Sequence, residues 1–84
     1  MNMPAPLRLL YQLRENGGSY SCIQKLIMDS RVDYVWGVEL IKDLEERGVI
    51  KLEAANNTKP RRVSLLESDP DKWLMAIYEN SNVA

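Results

Sequence analysis

The chain is 84 residues long, 45% hydrophobic and 27% charged, with a formal net charge of −1; it carries enough apolar side chains for one small core and too little length for two. Histidine is absent and Cys22 is the single cysteine, which removes the usual zinc ligands, the commonest general base and any disulfide within the chain. No apolar run approaches the roughly 18 residues of a membrane span, and Arg8 and Arg14 interrupt the first apolar stretch as they would not in a secretory leader.

The first helix is predicted from Pro6 to Asn16. Pro6 suits an opening turn, Leu7, Leu10, Tyr11 and Leu13 recur at roughly helical spacing, and Asn16-Gly17-Gly18 ends the pattern. In "SYSCIQKLIMDS", Ser21 is placed to cap a short second helix reaching Met28, with Ile23, Leu26 and Ile27 on one face. The polar segment "DSRVDYV" then predicts a turn, and Ser30 or Asp33 is available to cap the next helix. This longer third helix runs to Arg47. Its apolar set is Gly37, Leu40, Ile41 and Leu44, its wet side carries Lys42, Asp43, Glu45 and Glu46, and Gly48 supplies a left-handed stop.

"VIKLEA" and "RVSLLE" both alternate apolar and polar residues, and the stretch between them contains Asn56-Asn57 and Lys59-Pro60. That pattern predicts a β-hairpin with a basic tip. "SDPDKW" marks a last helix, with Asp69 as cap, Pro70 in the first turn and Asp71 at the positive helix end. Trp73 and Ile77, with Leu74 and Tyr78, give it an apolar stripe, and "ENSNVA" reads as a frayed end. The expected fold class is α+β, with three helices, a β-hairpin and a C-terminal helix. Residues 1–67 form the body, and 68–84 either complete the same domain or make a dimerisation helix.

This order resembles the winged helix-turn-helix domain over about residues 6–67. Its most specific stretch, "LIKDLEERGVIKLE" from Leu40 to Glu53, is similar to the end of the recognition helix and the first wing strand of bacterial winged-helix regulators. The resemblance implies a third helix in the major groove of double-stranded DNA and a wing on the backbone. The exposed reading residues would be Tyr34, Val35, Trp36, Val38 and Glu39, with Lys42 near the phosphates. Arg31 and the Ser19-Tyr20-Ser21 stretch would touch the backbone, and Lys59, Arg61 and Arg62 would bring charge to the wing. Trp73, Ile77 and Tyr78 would form a homodimer contact. The expected function is a cytoplasmic DNA-binding protein, a transcriptional regulator of bacterial, phage or mobile-element type, without cofactor, metal or catalysis.

Charge and composition pull in two directions. Residues 1–66 hold ten basic and eight acidic side chains, and residues 67–84 hold one basic and four acidic, so the segment bearing the resemblance is only weakly positive. The reading stretch "VDYVWGVE" also departs from the polar, basic character usual at that place. Trp36 and Val38 offer no donor matched to a guanine or adenine edge, although apolar side chains can touch thymine methyls and Glu39 can accept a hydrogen bond from cytosine. Three readings of Trp36 stand side by side: a core residue, an anchor for a protein partner, or a ring packed on sugar and thymine. The second of these makes the domain a protein-interaction module that does not bind DNA. Asp29, Asp33 and Glu39 lack any nucleophile, metal set or phosphate loop that would make them catalytic.

Overall fold

The computed structural model describes residues 3–53 and 62–79, which form four helices and a three-stranded antiparallel sheet in a small α+β arrangement. In chain order these are α1 (Ala5–Glu15), β1 (Ser19–Tyr20), α2 (Ile23–Asp29), α3 (Tyr34–Glu46), β2 (Ile50–Glu53), β3 (Arg62–Leu65) and α4 (Pro70–Leu74). The last helix continues as a π turn over Met75–Glu79. The predicted hairpin tip with Lys59 and Arg61, and the tail from Asn80, lie outside the described residues. No helix among the described residues is long and apolar enough to cross a membrane.

The first three helices stop in the same way. After each, the chain takes a positive φ and the following amide reaches back along the chain to a carbonyl that the helix leaves free. Gly18 N donates to Leu13 O at 2.9 Å, Val32 N to Ile27 O at 3.3 Å and Val49 N to Leu44 O at 3.1 Å. The residues with positive φ are Gly17 (φ 83°) and Gly18 (φ 93°) after α1 and Gly48 (φ 81°) after α3, but Arg31 (φ 61°) after α2. Arg31 is the one non-glycine residue with positive φ among those described.

The strands lie in the order β1-β3-β2, with Tyr20 opposite Val63, Leu52 opposite Val63 and Glu53 opposite Arg62. β1 is absent from the sequence expectation. The pattern places Ser19 and Tyr20 at the approach to the second helix, but their backbone pairs with Ser64 and Val63. Committing Tyr20 to the sheet delays α2, which starts at Ile23 after an extended Cys22, and Ser21 does not cap it. Ser30 likewise does not cap α3; its hydroxyl donates to Leu26 O at 2.8 Å, and Asp33 is the cap, accepting from Trp36 N at 3.3 Å.

Leu9, Leu10 and Leu13 of α1, Leu26 and Ile27 of α2, Ile41 and Leu44 of α3, and Ile50 and Val63 of the sheet are all buried in one core. Trp73 joins them, fully buried, with its ring edge-on to Tyr11 at a centroid distance of 4.9 Å. Its indole N–H donates to the Glu67 carbonyl. The expectation that Trp73 forms a dimer contact is therefore corrected: Trp73, Ala76 and Ile77 sit at i, i+3 and i+4, and that spacing turns them together onto the core. Arg47 holds the same segment from the other side, pairing with Asp43 at 2.8 Å and donating through Nη1 to Ala76 O at 2.8 Å.

Candidate nucleic-acid interface

α2 and α3 meet at a glycine. A Cβ on Gly37 would lie 2.6 Å from Cγ2 of Ile27 and 2.9 Å from its Cγ1, so only glycine lets the two helices approach this closely. Gly37, Ile41 and Leu44 are the buried positions of α3, and the residues on the far side of the helix are thereby turned to solvent. Val35 is 72% exposed, Trp36 57% and Tyr34 49%. Glu39 and Lys42 are exposed as well, and neither forms an ion pair or hydrogen bond with a described residue. Val38 is half-buried against the core. Exposure removes the core reading of Trp36.

Around this face the predicted contacts divide. Ser21 and Arg31 are exposed, and so is Arg62 at the start of β3. The backbone at Arg31 is fixed by Arg8, whose Nε donates to Ser30 O at 3.2 Å and whose Nη2 donates to Arg31 O at 3.4 Å. The exposed Arg31 guanidinium itself forms no hydrogen bond or ion pair with a described residue. Tyr20, expected near the backbone-binding stretch, is buried instead. Its hydroxyl accepts from Gln12 Nε2 and donates to Asp29 Oδ2, both at 2.9 Å. Burial raises its pKa; the Gln12 donor lowers it, and the nearby Asp29 carboxylate raises it further.

Sequence reasoning missed Met28, 66% exposed at the end of α2. Its signal was available, because Met28 falls outside the Ile23, Leu26, Ile27 stripe. Among the described residues no three Asp, Glu or Cys side chains gather where they could hold a metal ion. No protein-family model, curated protein or solved structure matches the chain. What defines the site is a short helix, a tight turn bearing the exposed Arg31 and a longer helix that packs Gly37 on Ile27 while exposing Tyr34, Val35 and Trp36.

Proposed function

We propose that this is a DNA-binding protein of the winged helix-turn-helix kind, acting as a transcriptional regulator. In this reading α2 and α3 are the helix-turn-helix pair, α3 enters the major groove, and the β2–β3 hairpin is the wing on the backbone. The observation that carries it is the exposure of Tyr34, Val35 and Trp36 on a helix locked to α2 by the Gly37–Ile27 contact. A helix in a groove must project its first turns beyond the rest of the protein, and a fixed neighbour must hold its angle. Arg31 and Lys42 are then the phosphate contacts near α3. Arg62, which follows Lys59 and Arg61 in the sequence, is the described member of the wing charge. Two copies would pair through the exposed Tyr78 of the C-terminal segment, with Trp73 and Ile77 turned to the core.

The exposed indole of Trp36 beside Val35 favours a second reading, in which the same face anchors a protein partner. One measurement separates the two. In the Trp73→Phe variant, Trp36 is the sole tryptophan, and its fluorescence is titrated with a mixed-sequence duplex at several salt concentrations. DNA binding predicts a perturbation whose affinity falls linearly in log salt, with a slope of about 0.9 per phosphate neutralised. An unperturbed Trp36 that remains open to a soluble quencher at low salt would refute it and direct the search to a protein partner.

A further inference from the structure

The outward stripe of α3 holds an unusual set of groups for reading a duplex. Val35, Glu39 and Lys42 follow one another at i, i+4 and i+7, and Trp36 flanks them. Arg and Lys recognise guanine through O6 and N7, and Asn and Gln recognise adenine through N6 and N7. The first two turns expose none of these; their hydrogen-bonding groups are the Tyr34 hydroxyl, the Trp36 indole N–H, which only donates, and the Glu39 carboxylate. A carboxylate only accepts, so it seeks the amino group of a base. Cytosine offers N4 beside a C–H, whereas adenine sets the lone pair of N7 beside its amino group, where it opposes the carboxylate. The aliphatic Val35, the most exposed large hydrophobic residue described, complements the thymine methyl.

Resting on the DNA-binding reading, we infer that α3 recognises the pyrimidine edges of its site, with Glu39 accepting from the N4 amino group of a cytosine and Val35 packing on the methyl of a nearby thymine. The two Cα atoms are about 6 Å apart along the helix axis. Base pairs are spaced about 3.4 Å apart, so the two bases lie within about two steps. Glu39 is available for this role because no described residue pairs with it. Lys42, one turn on, counters the repulsion between that carboxylate and the phosphates.

The test is selection from a random duplex library with the wild-type protein and with Glu39→Gln, followed by replacing each thymine of the selected duplex with uracil. The wild type is expected to fix a cytosine at one position. Glu39→Gln should change that position to adenine, since an amide can both donate to N7 and accept from N6. Uracil at the Val35 position removes one methyl group and should weaken binding on the order of fourfold. This last measurement uses the unaltered protein, so it stands even if the variant folds poorly. A selected motif that Glu39→Gln leaves unchanged, or salt-sensitive retention of the library with no motif, overturns pyrimidine reading while leaving DNA binding intact. A library that is not retained at low salt overturns the DNA-binding reading itself and this inference with it.

Discussion

Replacing Arg31 with glycine should make the fold more stable and DNA binding weaker, because the backbone and the side chain of this residue are under different demands. The backbone stands at φ 61°, a conformation that costs a residue with a Cβ about 1–2 kcal/mol. Glycine removes that cost but enters folding from a looser unfolded chain, a penalty of about 0.5–1 kcal/mol. The hydrogen bonds of the turn are made by main-chain atoms and survive: Arg31 N to Met28 O at 3.0 Å, and Val32 N to Ile27 O at 3.3 Å. No hydrogen bond or ion pair of the guanidinium to a described residue is lost. The net expectation for Arg31→Gly is a gain of about 0.5–1 kcal/mol, or roughly 2–8 °C in melting temperature for a domain of this size. In the proposed DNA-binding reading, losing the Arg31 phosphate contact should reduce the log–log salt slope of duplex binding by about 0.9. Arg31→Ala separates the two effects, since it keeps the left-handed cost and loses the charge; it should bind as weakly as the glycine variant without its extra stability. Thermal melting by circular dichroism and a salt titration of Trp36 fluorescence measure both quantities. A glycine variant that melts below wild type would refute the account of the backbone, and undiminished DNA affinity would remove Arg31 from the interface.

Gly37→Ala forces a methyl to 2.6 Å from the buried Ile27 side chain. Overpacking of about 1–3 kcal/mol should outweigh the roughly 1 kcal/mol that alanine gains over glycine in a helix, and a melting temperature at or above wild type would disprove the close approach. Arg47→Ala breaks both the Asp43 pair and the bond to Ala76 O, an expected loss of about 1–2 kcal/mol; amide exchange should rise first in α4, and uniform loosening would contradict its role as a local tie. Tyr20→Phe removes the hydroxyl between Gln12 and Asp29 and should cost about 1 kcal/mol at neutral pH. The folded-state pKa of Tyr20 is raised above the model-peptide value of 10.0, so its contribution is fully present below that pH and is lost as pH rises through the raised value. Urea unfolding of the two proteins should therefore converge above about pH 10, and a constant difference across that range would be inconsistent with a buried neutral phenol.

The parts of the fold that were readable from the sequence are those in which one residue type declares the backbone. Gly17 and Gly48 announce the ends of α1 and α3, and both have positive φ. Asp69 before Pro70 announces α4, and its carboxylate does accept from Asp71 N at 3.0 Å. Alternation in "VIKLEA" and "RVSLLE" gave β2 and β3 in their observed antiparallel pairing. What could not be read depended on partners distant in the chain. β1 is two residues long, too short to show a period of two, and it exists because Ser64 and Val63 are there to pair with it. The end of α2 carried no glycine, so its left-handed residue was invisible until Val32 N was seen to reach Ile27 O. Ser21 has the chemistry of a cap, but a cap must have a helix beginning beside it, and the sheet had already claimed the residue before it.

The two tryptophans show why the site was harder to read than the fold. Both stand in helices among apolar neighbours, and periodicity treats them alike. Trp73 is buried because its stripe continues inward through Ala76 and Ile77, and because the Glu67 carbonyl satisfies its indole N–H. Trp36 has no such continuation. It precedes Gly37, the position of closest approach to α2, and neighbouring positions on a helix point about 100° apart. When Gly37 faces Ile27, Trp36 and Val35 must face away. The residue that fixes the helix pair in place is thus the one that exposes Tyr34, Val35 and Trp36, so in the proposed DNA-binding reading Gly37→Ala should disturb binding as well as stability, by tilting α3 against α2.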